Sequence, residues 1–150
     1  MKNKELFERT VSILVKSYQD DTLEYTDCSA CAVGNIVAAN NGIQLKKLPN
    51  GEINAIGGKS DLWKYCFQSF GDGVKGLSSY MPLDGKQQIA TTGYSINEIA
   101  EIEKSFHTGY AMNLDNFEGL MSLIDCLMVI HEANEVEVLQ AKSLFIKETA

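Results

Sequence analysis

Residues 116–132 read NFEGLMSLIDCLMVIHE, and our prediction of the fold starts from this stretch. Its apolar residues cover nearly the whole circumference of a helix, whereas a helix on a protein surface is apolar along one stripe only. Such a helix is normally enclosed by other helices, in the same chain or in a partner subunit. We therefore expect it to form the core. Its apolar side chains are Leu120, Met121, Leu123, Ile124, Leu127, Met128, Val129 and Ile130.

A second helix before this stretch and a third after it are indicated by their start signals. Ser95 and Glu98 have the spacing of a capping box, in which each side chain accepts a hydrogen bond from the other residue's backbone amide. This signal predicts a helix over 96–107. A looser version of the signal begins at Asn134 and predicts a last helix over 135–147.

The first 40 residues predict two more helices. Apolar residues at spacings of three and four indicate an amphipathic helix over 4–18. A helix with Thr26 or Asp27 as its N-cap is expected to continue to about Asn40, where an Asn-Asn-Gly sequence favours a left-handed stop.

The middle of the chain has a different pattern. Alternating apolar residues around Asn50-Gly51 predict a short β-hairpin within 43–56. A helix is predicted over 61–70, followed by a loop over 71–92 with one short strand near 88–91. Taken together, the elements predict a mainly α protein of five to six helices with a small β-hairpin, an α+β fold in a single domain.

The distribution of charge disfavours a nucleic-acid partner. Residues 1–94 contain ten acids and ten basic residues, whereas residues 95–150 contain ten acids and three lysines and account for the net charge of −7. A phosphate backbone would be repelled by the acidic part, and no basic cluster elsewhere offsets it. No apolar run approaches the roughly 20 residues of a membrane span, and no secretory signal is evident. We expect a cytoplasmic protein without a membrane partner.

The most distinctive motif is DCSACAVGN at 27–35. In the predicted helix, Cys28, Cys31 and Asn35 share a face, and Cys28 lies in the first turn, where unpaired amides favour an anion. A polar Asn35 among small apolar residues needs a hydrogen-bonding partner, either backbone or ligand. We therefore predict a ligand-binding site of Cys28, Cys31 and Asn35, to which Trp63 adds a ring that could stack on the ligand.

Other interpretations of this motif remain open. A redox Cys-x-x-Cys pair would normally follow a strand, whereas an acidic loop precedes this one. A zinc site would need Cys66 and a histidine from distant segments, and the spacing does not bring them together. Tight packing of small residues accounts for the motif without any chemistry. We accordingly predict no metal and no cofactor.

No residue pattern establishes a catalytic site. Nucleophile elbows, P-loops and metalloprotease helices are missing from the sequence. His107 and His131 are predicted at helix C-termini, where a positively charged side chain interacts favourably with the helix dipole. They are better explained as caps than as catalysts. Whether the protein is an enzyme stays open, and the balance favours a non-enzymatic protein.

Three parts of the chain resemble a group of small uncharacterised proteins of gut bacteria and their phages. They are Cys28 to Asn35, the turn Thr92-Gly93-Tyr94-Ser95, and the apolar helix from Asp115 to His131. The resemblance covers most of the chain. It implies an accessory protein of a mobile element that acts on host pathways, and it implies no activity, cofactor or functional residue.

Three functions follow from these features. The first is a non-enzymatic interaction protein that self-associates through helices or binds a protein partner. The second is a protein that binds and sequesters a small molecule, such as a nucleotide signal. The third is a cysteine-dependent metal or redox protein.

Overall fold

The computed structural model of this 150-residue chain describes residues 1–24, 31–57, 87 and 89–146. Within these ranges the protein is mainly α-helical with one two-stranded antiparallel sheet, as predicted. The predicted helix over 61–70 lies outside the described residues. None of the described helices is long and apolar enough to cross a membrane. The elements are α1 (Lys4–Gln19), α2 (Ala32–Asn40), β1 (Gln44–Lys47), β2 (Ile53–Ile56), α3 (Ile96–Asn113), α4 (Asn116–His131) and α5 (Glu135–Ser143).

Helices α3 and α4 form an antiparallel hairpin with the most extensive contact between described elements. Helix α4 lies in the core, as its composition predicts, but Val129, which we expected to be enclosed with the other apolar side chains, is 78% exposed. Helix α1 packs on α2 and α4, and α5 packs on α4. The side chains of α4 with no exposed surface are Leu120, Leu123, Ile124 and Leu127.

Glycines allow α3 and α4 to approach each other closely. A Cβ atom added to Gly109 would lie 2.6 Å from the carbonyl oxygen of Glu118 and 2.7 Å from Cβ of Ser122. A Cβ atom added to Gly119 would lie 2.9 Å from the ring of Phe106. Real Cβ atoms do not come so near to other atoms, so this contact requires glycine at both positions.

The predicted end of α3 is wrong. The helix continues past residue 107 to Asn113, and Leu114 caps it in the left-handed conformation (φ 53°). Gly109, which we expected in a loop, lies inside the helix. Its packing against α4 explains a glycine that the local sequence suggests is a helix breaker.

The predicted start signals of α3 and α5 are confirmed. The Ser95 amide donates to Glu98 at 2.8 Å, and the Glu98 amide donates to Ser95 Oγ at 3.1 Å. Asn134 and Glu137 form the same reciprocal pair at 3.0 and 2.9 Å. Helix α5 ends at Ser143, earlier than predicted, and the next three residues continue as a turn with i to i−3 hydrogen bonds.

The hairpin and the end of α2 also agree with the prediction. Gly42 has a φ of 70°, and the Ile43 amide donates to the Ala38 carbonyl at 2.9 Å, the longer bond of a Schellman motif. Strands β1 and β2 then pair in register, with Gln44 opposite Ile56, and Gly51 in the turn has a φ of 89°.

The strand predicted near 88–91 is wrong. Residues 87, 89 and 90 are helical, and a turn follows. The Thr92 hydroxyl and amide both donate to the Ile89 carbonyl, at 2.6 and 2.9 Å, and Gly93 then takes a φ of 87°. These hydrogen bonds join residues three apart in a turn, whereas a strand would be hydrogen-bonded to a neighbouring strand.

Candidate functional site

The four predicted site residues are only partly described. Cys28 and Trp63 lie outside the described residues, whereas Cys31 and Asn35 are both buried at the start of α2. Helix α2 begins at Ala32, four or five residues later than predicted. Cys31 has an extended backbone (φ −68°, ψ −178°) and is the N-cap, and its sulfur accepts a hydrogen bond from the Gly34 amide at 3.4 Å. The predicted helical face that runs from residue 28 is therefore wrong.

A carboxylate from α3 binds the opening turn of α2. Glu103 is only 3% exposed, and its Oε2 accepts a hydrogen bond from the Val33 amide at 3.1 Å. Its Oε1 lies 2.5 Å from Nε2 of His107, one turn further along α3. A carboxylate is stabilised at a helix N-terminus by the unpaired amides and by the helix dipole.

This arrangement changes what the turn can bind. The anion that the first turn of α2 favours is supplied by the protein itself, through Glu103. A phosphate group brought to the Val33 amide would have to displace Glu103 Oε2, which already accepts the hydrogen bond of that amide. The contact weighs against a nucleotide at this turn. His107 is not a C-terminal cap as predicted, because α3 extends to Asn113.

Asn35 has partners within the chain. Its Nδ2 donates to the carbonyl oxygens of Thr22 and Cys31, both at 3.0 Å, and its Oδ1 accepts from the Thr22 hydroxyl at 2.8 Å. These bonds join α2 to the segment that follows α1. The hydrogen-bonding partners predicted for the Asn35 side chain are therefore Thr22 and Cys31 of the same chain. We call Thr22 and Asn35 the Thr22–Asn35 pair.

A cavity of about 350 Å³ lies beside this pair, between α1, α2 and β1. Its volume is at the lower end of the range for small-molecule sites. Three of its lining residues, Ser17, Thr22 and Asn35, are polar side chains with 4–7% exposure. The other lining residues are Ile13, Lys16, Asp20, Ala38, Ala39, Gly42, Ile43, Gln44 and Leu45.

A second buried polar cluster joins α1, α4 and the N-terminal segment. His131 Nδ1 lies 2.7 Å from the Lys2 carbonyl oxygen, which can only accept, so this nitrogen carries the proton. In the neutral ring, Nε2 then accepts from the Tyr94 hydroxyl at 2.8 Å. The Tyr94 oxygen in turn accepts from the Thr10 hydroxyl at 2.9 Å. Every polar atom of this relay has a partner, which indicates a structural tie between elements.

Burial changes the acidity of two groups. Burial is the largest cause that raises the pKa of Tyr94 to about 12, and the nearby Glu98 adds to it, while the Thr10 hydrogen bond lowers it. Burial also raises the pKa of the Cys126 thiol, against the lowering effect of a hydrogen bond from Ser105. Both groups are held in their protonated forms, so Cys126 is a weaker nucleophile than an ordinary cysteine.

Metal ligands do not cluster in the part of the chain that is described. No group of three or more His, Cys, Asp or Glu side chains there could hold a metal ion. Cys28 and Cys66, which the metal interpretation needs, lie outside the described residues.

Four exposed apolar side chains lie near the end of α4, on α5 and in the turn after α5, and we call this group the outer face. Val129 on α4 is 78% exposed, and Val136 and Leu139 on α5 are 63% and 65% exposed. Ile146, in the turn after α5, is 65% exposed. Leu144 is also exposed, but it lines a second cavity of about 450 Å³ between α1 and α5 and is not part of the outer face.

Sequence reasoning missed Glu103 and the outer face. Glu103 lies in the apolar stripe of α3 beside Ile99, Ile102 and Phe106, all of which have no exposed surface, so its position in that stripe was a signal of burial. In α5 the apolar residues occupy both sides of the helix, which was a signal that one side would stay exposed. Comparisons with protein-family models, curated proteins and solved structures found no match to this chain.

Proposed function

We propose that this protein is a non-enzymatic interaction protein whose first partner is a second copy of itself, bound through the outer face. The observation that carries the proposal is that Val129 and three apolar side chains on or just after α5 are each more than 60% exposed. Single exposed apolar residues are common, but contiguous patches of a few hundred Å² usually mark an interaction site.

The spacing of the exposed residues on α5 and in the turn after it fits antiparallel packing of two copies. Val136, Leu139, Ser143 and Ile146 follow one another at intervals of three, four and three residues. That order is the same in both directions, so a two-fold axis places Val136 opposite Ile146 of the second copy and Leu139 opposite Ser143. The small Ser143 leaves room for the larger leucine, and because a two-fold interface pairs the same residues twice, this contact occurs at both ends.

Charges next to the outer face permit this approach despite the acidity of the C-terminal part. Lys142 on α5 lies 2.7 Å from Asp125 on α4, and Lys2 lies 3.2 Å from Glu132. Two of the acids nearest to Val129 in the sequence are thus paired within the chain. Repulsion between two copies is correspondingly reduced at the place where they would meet.

Light scattering during size-exclusion chromatography tests the proposal. We expect twice the monomer mass for the wild-type protein at micromolar concentrations and the monomer mass for Leu139→Asp, because an aspartate at the centre of the interface would have to be buried. Met112→Asp is the matched control, since Met112 is 79% exposed on α3, away from the outer face. A wild-type protein of monomer mass at all concentrations, or a Leu139→Asp variant that keeps the double mass, would contradict the proposal.

A further inference from the structure

The cavity between α1, α2 and β1 presents acceptors at its base. The Ser17 hydroxyl donates to the Ile13 carbonyl at 2.9 Å, and the Thr22 hydroxyl donates to Asn35 Oδ1 at 2.8 Å. Both hydrogens of the Asn35 amide are used by carbonyl oxygens. The hydroxyl oxygens of Ser17 and Thr22 can therefore offer a ligand only lone pairs, and a ligand that binds them must donate hydrogen bonds.

The C-terminal ends of two helices converge on this cavity. Lys16, Ser17 and Asp20 belong to the last turn and cap of α1, whereas Ala38 and Ala39 belong to the last turn of α2. A helix C-terminus carries a partial negative charge and favours a cation. Two such ends beside one cavity give it a field that attracts positive charge.

The rim of the cavity holds a carboxylate paired with an ammonium group. The Asp20 carboxylate is about half exposed and lies 2.7 Å from the Lys16 ammonium group. This exposed pair is weak, so a second cation can compete with Lys16 for the carboxylate. The walls beside it are apolar, with Ile13, Ile43 and Leu45.

We propose that this cavity binds a small organic cation, an amine or amidine with an apolar body. The charged head donates to the hydroxyl oxygens of Ser17 and Thr22 and to the Asp20 carboxylate, while the apolar body lies against the walls. This site is separate from the outer face and does not depend on self-association.

Benzamidine and benzoate are matched probes for this site, because they have nearly the same shape and opposite charge. We expect benzamidine to bind with a Kd of about 1 mM, as is usual for a ligand of this size, and benzoate to bind at least about tenfold more weakly. Amide chemical shifts in ¹⁵N-labelled protein report the binding. The amides expected to move are those of Ser17, Thr22, Asn35, Ala38 and Gln44.

Variants at the wall locate the binding. Ala39 is an exposed residue that lines the cavity, so Ala39→Phe is expected to fill the space without disturbing the core. We expect it to weaken benzamidine binding by at least about tenfold, the loss expected when a ligand is excluded from its pocket. Ala111→Phe, at an exposed position of α3 outside the cavity, is the control and should leave the Kd unchanged.

Variants at the rim test the sign of the field. Asp20→Asn should weaken benzamidine binding about two- to fivefold, and Lys16→Gln should strengthen it by a similar factor, because one removes the attracting charge and the other a competing cation. Equal binding of benzoate, a Kd for benzamidine unaffected by Ala39→Phe, or no shifts at concentrations tenfold above the expected Kd would each overturn the proposal.

Discussion

The two sides of helix α4 differ in how far their apolar side chains are buried. On the side toward α3, Gly119 meets Phe106 so closely that no Cβ atom fits, and the neighbouring leucines are fully buried. On the side toward solvent, Val129 is 78% exposed, and Val136 and Leu139 of α5 are 63% and 65% exposed. An apolar helix is therefore not automatically an enclosed one. The side of α4 on which Gly119 packs against α3 is fully buried, and we call it the closed side. The side that carries Val129 has no such neighbour among the described residues, and we call it the open side.

Substitution of Gly109, which packs against the closed side of α4, should reduce the free energy of unfolding more than the other changes considered below. Gly109→Ala places a methyl group 2.6 Å from a backbone oxygen of α4, so the two helices must separate. We expect a loss of about 3 kcal/mol in the free energy of unfolding, measured by urea denaturation. The sign is the control, because Gly→Ala inside a helix without such a contact stabilises by about 1 kcal/mol. A stabilised Gly109→Ala protein would show that the helices do not approach as closely as described.

Removal of Glu103 tests a second closed contact, between α3 and α2. Glu103→Ala leaves the Val33 amide and the His107 ring without the carboxylate, and we expect a loss of about 2 kcal/mol. Glu103→Gln keeps an oxygen for the Val33 amide and should lose about half as much. If the two variants were equally stable, the carboxylate would not be capping α2.

The stability of the closed side should also fall at alkaline pH. Tyr94 has a folded-state pKa of about 12, above the ordinary value of 10, so its contribution is fully present below pH 10. It is lost as the pH rises towards 12, because the unfolded chain releases the proton first. We expect this loss to approach about 2 kcal/mol.

Urea denaturation at a series of pH values measures this effect. Tyr94→Phe should flatten the decline between pH 10 and 12, whereas Tyr110→Phe, a half-buried tyrosine outside the relay, should leave the decline as in the wild type. An unchanged decline in Tyr94→Phe would assign the alkaline sensitivity to another group.

Leu139→Asp, in the outer face, should have the smallest effect on the stability of the monomer. Leu139→Asp changes an exposed residue, so its free energy of unfolding at high dilution should stay within about 0.5 kcal/mol of the wild type. The midpoint of thermal unfolding should rise with concentration in the wild type and not in the variant, because association stabilises only the folded state. A concentration dependence shared by both proteins would place the interface elsewhere.

The parts of the fold that the sequence predicts are those decided by neighbouring residues. The capping boxes at Ser95 and Asn134 and the turn at Gly51 involve residues at most a few positions apart, so their patterns are visible in the sequence. The end of α3 depends on Gly109 meeting Gly119 across two helices, and its local sequence suggests a loop.

The candidate site shows the same limit. The need of Asn35 for a partner is readable from its apolar surroundings, but Thr22 is brought to it only by folding. The start of α2 is determined by Glu103, which is 70 residues away from Val33 in the chain. No periodicity or spacing connects residues so distant, and Cys28 and Trp63 stay untested.

A dilution series of ¹⁵N-labelled wild-type protein tests the contrast between the two sides of α4 most directly, since one set of spectra reports both. Our account predicts that the amide signals of Val129, Val136 and Leu139 shift as the protein is diluted, while those of Gly109 and Gly119 stay fixed. Signals of α5 that remain unchanged over the whole concentration range, or shifts that appear at the glycines instead, would contradict it.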